Sequence, residues 1–289
     1  MISRQLIEDV AFNLLKKSSI DLPRDVVEAI KNAFNYETSE IARIQLNTIL
    51  DNISEASKCL IPMCQDTGIP IFFVKGDCCR EIMEGIRAGV LRATDEIPLR
   101  PNAVHPITRR NSGNNAGVNM PYVHFSPGED GFIEIAVLPK GAGAENMSAL
   151  KMLNPSDGLD GIKSFVLDTV VSAGGKPCPP IIVGIGIGGS SDVAMTLAKE
   201  ALLLPLNKKN SDGMLASLEE NILAALNQTG IGPMGLGGRT TALGVKIRMA
   251  HCHTASLPVG VNIQCWAARK AFARIYGDGI VEYSLEGFQ

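Results

Sequence analysis

The chain has 289 residues, of which 45% are hydrophobic and 20% are charged, and its formal net charge is −3. This composition is typical of a globular protein with one or two domains. The balanced charge and an aromatic content of 5% argue against a nucleic-acid partner. The N-terminus lacks the apolar core of a secretory signal, and no run of about 20 apolar residues is available to span a membrane. We therefore expect a cytoplasmic location and no membrane association.

Residues 1–58 are predicted to be mainly helical, because apolar residues recur there at helical spacing, as in Leu6, Ile7, Val10 and Leu14. Residues 59–289 mix both element types. The predicted strands are 69–74, 132–138, 180–187, a strand near Val245, and 259–263; the predicted helices are 80–94, 162–171, 192–204, 215–226 and one that begins at Ala267. Since strands and helices do not alternate regularly, the sequence predicts an α+β fold with mixed sheet layers, in one domain over residues 1–289.

Segment 101–121 is rich in Asn, Gly and Pro and is predicted to be a long loop. Long loops within compact domains often carry function.

Seven cysteines, at positions 59, 64, 78, 79, 178, 252 and 265, form no pair of CxxC motifs, which argues against a zinc ribbon. Cys64, Cys178 and Cys265 each lie in a loop or at the end of a predicted element. Thiolates are soft ligands that suit iron–sulfur clusters. Taken singly, however, a cysteine is more often a small buried apolar residue, and the spacing alone does not group these three.

Two glycine-rich segments leave alternatives open. Residues 184–189 match the G-x-G-x-x-G pattern of dinucleotide-binding turns, but no following strand ends in the acidic residue that would contact a ribose. Residues 230–238 lead into Arg239, which suits either a carboxylate contact or a tight structural connection. His251 and His253 would share one face of a strand, where a hydrogen-bonding or proton-handling role competes with a purely structural one.

In combination, several of these segments resemble the class I fumarase and L-tartrate dehydratase family. The matching stretches, in order, are Cys64-Gln65-Asp66-Thr67-Gly68, Lys140-Gly141-Ala142-Gly143, Cys178-Pro179-Pro180, 184–191, 230–238, and His253-Thr254-Ala255-Ser256 with the downstream Cys265. The order of several rare motifs makes this resemblance far more specific than any one of them.

The resemblance implies that Cys64, Cys178 and Cys265 bind a [4Fe–4S] cluster in which one iron has no protein ligand. It also implies a small-dicarboxylate site. The substrate-binding residues would be Gln65, Arg100 and Gly143, and the catalytic residues Asp66 and His253. Arg109 and Arg110 lie close to Arg100 in the sequence and compete with it for the carboxylate-binding role.

Single-chain members of the family continue into a second domain, so the resemblance implies a separate β subunit in an αβ or (αβ)2 assembly. The expected reaction is the reversible hydration of fumarate to malate, with L-tartrate dehydration as the close alternative and mesaconate hydration as a further one. The alternatives from other classes are an NAD-binding oxidoreductase that uses residues 184–189 and a non-catalytic iron–sulfur or scaffold protein.

Overall fold

The computed structural model describes residues 3–76 and 78–288. They form eight α-helices and nine β-strands in the described part of the chain. The helices are α1 (Arg4–Ile20), α2 (Arg24–Tyr36), α3 (Glu40–Cys59), α4 (Arg80–Glu96), α5 (Ala142–Glu145), α6 (Gly158–Ala173), α7 (Ser191–Leu203) and α8 (Gly213–Asn227). The strands are β1 (Ile69–Lys75), β2 (Tyr122–Ser126), β3 (Phe132–Lys140), β4 (Ala149–Leu153), β5 (Ile181–Gly189), β6 (Ala242–Cys252), β7 (Leu257–Gln264), β8 (Ala271–Tyr276) and β9 (Val281–Ser284). The predicted α+β class is confirmed.

The chain divides into two compact units. The first comprises residues 1–24, 52–141 and 269–289, and the second comprises residues 25–51 and 142–268. The prediction that residues 1–289 form one functional domain stays a prediction. None of the helices in the described ranges is long and apolar enough to cross a bilayer.

The first unit is built on a five-stranded sheet with the order β2-β1-β3-β8-β9. Its core joins the apolar faces of α1 and α4 to the inward residues of β1, β3 and β8. The two helices approach closely because α4 carries Gly85 and Gly89 on the contact face, where a Cβ would lie 2.6 Å from Ile7 and from Ala11 respectively. The sheet thus rests against a tightly packed helix pair.

The second unit is built on a four-stranded sheet with the order β4-β7-β5-β6. Alternate residues of β5 face opposite sides, as in any strand. Ile181, Val183 and Ile185 join the core formed with α6 and α8. Gly184 and Gly186 face α7, where a Cβ would come within 2.2 Å and 2.0 Å of the helix backbone. Close packing of α7 on the strand therefore accounts for these two glycines of the G-x-G-x-x-G pattern.

The helix predicted to begin at Ala267 is wrong. The chain instead enters β8 at Ala271, where it pairs with Val137 of β3. The reason is the period of the pattern: residues 271–276 alternate between buried and partly exposed positions, which is the signature of a strand. The remaining predicted helices and strands are confirmed, whereas α5, β2, β4 and β9 were not predicted.

Candidate functional site

The loop that carries Asp66 leads into the first residue of β1, so it lies at one end of the strands of the five-stranded sheet. Oδ1 of Asp66 accepts a hydrogen bond from the backbone N–H of Gly68 at 3.0 Å, which fixes the carboxylate to its own loop. Gly68 has φ +82°, and a Cβ there would lie 2.9 Å from the backbone of Lys140 at the end of β3. A glycine is therefore required at this position, both for its left-handed backbone and for the close approach of β3.

Arg100 is attached to the same loop through its backbone. Its N–H donates to Oγ1 of Thr67 at 3.1 Å, and Thr67 is buried. The carbonyl of Arg100 accepts from Nδ2 of the buried Asn115 at 3.1 Å, so the long loop 101–121 folds back onto Arg100. Nδ2 of Asn102 also donates to the carbonyl of Gly68 at 3.2 Å. The Arg100 guanidinium is exposed and available to a ligand.

Arg109 and Arg110 occupy a different place from Arg100. Both are exposed and lie in a turn of the long loop, which is closed by a bridge between Val104 and Asn111. Hydrogen bonds from that turn run within the loop, such as the 2.8 Å contact from the N–H of His105 to the carbonyl of Arg110. Of the three arginines, Arg100 is thus the one that is held against the Asp66 loop.

Cys64 and Gln65 precede Asp66 in this loop. The Cys64 side chain is partly buried and Gln65 is exposed. The first unit therefore collects four of the predicted site residues, Cys64, Gln65, Asp66 and Arg100.

Cys178 and Cys265 come together in the second unit, at the end of the sheet where β5 begins and β7 ends. The backbone N–H of Trp266 donates to the carbonyl of Cys178 at 3.2 Å, which joins the two cysteine segments directly. Both side chains are partly exposed. Cys178 adopts φ +54°, a left-handed conformation that is uncommon for any residue except glycine. Such strain is concentrated at functional positions.

Gly143 lies beside the Cys178 loop. A Cβ on Gly143 would lie 3.0 Å from the carbonyl oxygen of Lys176, two residues before Cys178. The short helix α5 that contains Gly143 is held by Glu145, which pairs with Lys199 of α7 and accepts a 3.1 Å hydrogen bond from Nδ2 of the fully buried Asn262. Glu145 was not singled out from the sequence, although it follows Gly143 closely.

His253 lies at the opposite end of the same sheet. It follows the last residue of β6, in the turn that leads to β7, and the end of β5 at Gly189 pairs with Cys252 there. The nine residues of β5 separate this end from the Cys178 end by about 25–30 Å. Nδ1 of His253 accepts from the N–H of Ala255 at 3.1 Å. The structure thus does not bring His253 to Cys178 and Cys265 within one chain.

Residues 230–238 serve as a packed connection. The N–H of Arg239 donates to Oε2 of the buried Glu37 at 2.7 Å, and the Arg239 guanidinium lies 5.0 Å from the Tyr36 ring centre. Thr241 is fully buried, and its Oγ1 accepts from the N–H of Gly232 at 3.1 Å. Burial acts to raise the pKa of Glu37, but the backbone N–H groups of Ser39 and Arg239 outweigh it and lower that pKa. These contacts favour the structural interpretation of the segment.

Among residues 3–76 and 78–288, no three or more His, Cys, Asp or Glu side chains surround a position for a single metal ion. This finding concerns mononuclear sites. In an iron–sulfur cluster each thiolate binds its own iron, so the cysteines stand at separate corners.

Comparison with known proteins identifies the relatives of the chain. Residues 8–274 match the family described as fumarate hydratase (Fumerase). A protein of Methanocaldococcus jannaschii named "Putative L(+)-tartrate dehydratase subunit alpha" is 52% identical over 277 residues, which cover 93% of this chain and 97% of that protein. The "L(+)-tartrate dehydratase subunit alpha" of Escherichia coli K12 is 34% identical, with 94% and 91% covered. A Geobacillus stearothermophilus protein named "Putative fumarate hydratase class I" is 37% identical, with 90% of this chain but only 53% of that protein covered.

Proposed function

Because the chain belongs to the fumarate hydratase (Fumerase) family, we propose that it is the cluster-binding α subunit of a hydro-lyase that acts on four-carbon dicarboxylates. The single observation that carries this proposal for the chain's own residues is the backbone contact between Trp266 and Cys178, which sets two of the three motif cysteines side by side. Arg100 is attached to the Asp66 loop through its backbone, and its guanidinium would supply the cation for a carboxylate ligand.

The thiols fit an iron–sulfur cluster. They are soft donors, and Cys178 and Cys265 are partly exposed rather than sealed in the core. Cys64, Cys178 and Cys265 would hold a [4Fe–4S] cluster with one iron left without a protein ligand. When bound, such an iron supplies a Lewis acid that stabilises a departing hydroxide.

The protein groups orient the substrate and handle protons. The Arg100 guanidinium would grip one carboxylate, for which its planar fork of donors is well suited. Gln65 and the backbone of Gly143 would fix the orientation of the other polar groups, and a fixed orientation lowers the barrier by removing motional freedom before the reaction. Asp66 would accept or return a proton at its carboxylate. The catalytic role of His253 stays a prediction, since its imidazole stands across the length of β5 from the two cysteines.

A second subunit is part of the proposal. The relatives in M. jannaschii and E. coli are named as α subunits, and the chain matches only 53% of the Geobacillus protein. We infer that a β subunit completes the enzyme, in an αβ or (αβ)2 assembly, and supplies the group that takes the carbon-bound proton.

Fumarate is the substrate we propose first, with L-tartrate as the second candidate. The second is favoured by the two relatives named for L(+)-tartrate dehydratase, which match this chain along more than nine-tenths of their length. Both substrates carry a carboxylate at each end of a four-carbon chain, so the groups described above serve either one.

The deciding experiment is an anaerobic assay of the chain purified with its β subunit. Fumarate, L-tartrate and mesaconate are supplied separately. Loss of the double bond of fumarate or mesaconate is followed by ultraviolet absorbance, and dehydration of L-tartrate is followed by the formation of its 2-oxo acid product. Rapid turnover of fumarate supports the first proposal, whereas rapid turnover of L-tartrate with little fumarate turnover selects the second. A complex with a full cluster that turns over none of these acids, or that instead binds NAD in calorimetry, contradicts both.

A further inference from the structure

Arg269 is a buried cation with open hydrogen-bond donors. Its exposed fraction is 1%, and it is the largest fully buried side chain of the described residues. Nε and Nη1 of its guanidinium are buried and have no hydrogen-bond partner among those residues. Leaving a buried charge without partners is costly, and native proteins avoid it unless another group completes the site.

Arg269 lies at the same end of the strands as Asp66. It precedes the first residue of β8 by two positions. At this end β1 begins and β3 ends, and Ile69 pairs with Lys140. Nη2 of Arg269 lies 3.5 Å, and Oδ2 of Asp66 lies 3.0 Å, from the point where a Cβ of residue 141 would stand. The guanidinium and the Asp66 carboxylate thus approach Gly141 together.

Two further buried lysines, Lys140 and Lys270, have their backbones at this end of the sheet and are each 3% exposed. The ligand that the open guanidinium donors of Arg269 would stabilise is an anion, and a carboxylate is a strong acceptor for such charged donors.

Arg274 shows how a structural arginine just after this point in the chain is satisfied. It lies in β8, and its Nε and Nη2 donate to Oε1 of Glu134 at 3.1 Å and 2.6 Å. Its side chain is 19% exposed. The open donors of Arg269 are therefore not a general property of arginines in this sheet.

We propose that Arg269 binds a carboxylate of the substrate, in addition to Arg100, with the N–H of Nε or of Nη1 as a donor. This inference rests on the proposed hydro-lyase function and extends it, since it assigns a second arginine to the recognition of a dicarboxylate. Sequence patterns did not single out Arg269, which fell within the helix predicted to begin at Ala267.

The test compares Arg269→Gln and Arg269→Lys with the matched control Arg274→Gln, each in the anaerobic complex with the β subunit. Three quantities are measured: KM and kcat for the acid that the wild type turns over, iron and sulfide per chain, and the rise in melting temperature caused by succinate. Succinate is a suitable probe because it carries both carboxylates but has neither a double bond nor a hydroxyl to react. A ligand that binds the folded state raises its stability by RT ln(1 + [L]/Kd), so weaker binding at a fixed concentration gives a smaller rise.

We expect Arg269→Gln to raise KM at least tenfold and to abolish the thermal shift by succinate, with the iron content unchanged. Arg269→Lys should raise KM at least fivefold, since a compact ammonium cannot reproduce the positions of the guanidinium donors. Arg274→Gln should leave KM and the succinate shift unchanged, while the loss of the Glu134 pair lowers its own melting temperature. If Arg269→Gln does not fold, Arg269→Lys decides.

The inference is overturned if the variants keep the wild-type KM and succinate shift, or if they lose iron in parallel with activity, which would assign Arg269 to cluster retention. Failure of the proposed function looks different: the wild type itself would then neither turn over the acids nor respond to succinate, and the inference would be rejected with it.

Discussion

Gly141→Ala tests the position of the Asp66 carboxylate with the smallest possible change. Gly141 follows β3 and adopts no left-handed φ, so alanine is compatible with its backbone. The added methyl group would stand 3.0 Å from Oδ2 of Asp66 and 3.5 Å from Nη2 of Arg269. The second distance is an ordinary contact, whereas the first is too short. The substitution therefore acts on Asp66 and leaves Arg269 in place.

The size of the effect follows from these distances. An ordinary contact to a Cβ begins at 3.4 Å, so Oδ2 must retreat by about 0.4 Å. The carboxylate cannot simply rotate away, because Oδ1 is held by the N–H of Gly68 at 3.0 Å. Since a misplacement of about 1 Å costs on the order of a hundredfold in rate, we expect a fivefold to tenfold loss of kcat, or about 1–1.4 kcal/mol in the barrier.

The assay is steady-state turnover of the anaerobic complex, with iron content and thermal unfolding measured on the same preparation. Gly277→Ala is the matched control, because a Cβ there meets nothing within 4 Å and the backbone has no left-handed φ. It should retain full activity and gain about 0.4–1 kcal/mol through reduced freedom of the unfolded chain. A Gly141→Ala enzyme with normal kcat, normal KM and an intact fold would refute the placement of the Asp66 carboxylate at the reacting centre.

Three further predictions follow from the second unit. In anaerobic preparations, Cys178→Ser and Cys265→Ser should each lower the iron and sulfide content by more than half, whereas Cys252→Ser, at an exposed cysteine, should not. Equal iron content in all three variants would show that Cys178 and Cys265 are not cluster ligands. Glu37→Gln should destabilise the fold by about 1–3 kcal/mol at neutral pH, because a charged acceptor of backbone N–H groups is weakened. The pKa of Glu37 is lowered in the folded state, so the difference in unfolding free energy between wild type and Glu37→Gln should vanish as the pH falls through that pKa. A difference that stays constant through acid denaturation would contradict the stabilising role of the Glu37 carboxylate. His253→Asn should keep its iron and lose less than tenfold in kcat; a larger loss would mean that the imidazole reaches the site from another copy of the chain.

The elements of the fold were largely predictable because their apolar periods are clear. Strand β5 was predicted from its continuous apolar run, and its glycines suggested a dinucleotide site. Only the packed structure reveals that Gly184 and Gly186 admit the backbone of α7. The error at Ala267 has a related cause: the alternation in residues 271–276 is short, and its partner β3 lies more than 130 positions away in the sequence. Pairing over such distances leaves little local signal.

The candidate site was predictable only in part, for a reason that lies in its construction. Cys64, Gln65 and Asp66 are contiguous, so their motif is visible in the sequence. Arg269 is recognisable only through its burial and its open donors, and neither property has a local pattern. His253 is the opposite case, because its motif is conspicuous in the sequence but its position is far from the cysteines. His253 precedes β7 and Cys265 follows it, so the length of that strand separates them.

The backbone at Cys178 argues that its thiol has a role beyond filling space. A residue other than glycine at φ +54° carries a strain of about 1–3 kcal/mol. Hydrogen bonds maintain it, since the N–H of Cys178 donates to the carbonyl of Gly175 at 3.1 Å and its carbonyl accepts from Trp266 at 3.2 Å. Pro177 and Pro179 restrict the unfolded chain on both sides, and each restriction of this kind is worth about 0.4–1 kcal/mol. The backbone strain at Cys178 and the stabilisation from the two prolines are thus of similar size, so the fold keeps the strained cysteine at little net loss of stability. A cysteine that served only as a small apolar residue would need neither the strained backbone nor the flanking prolines.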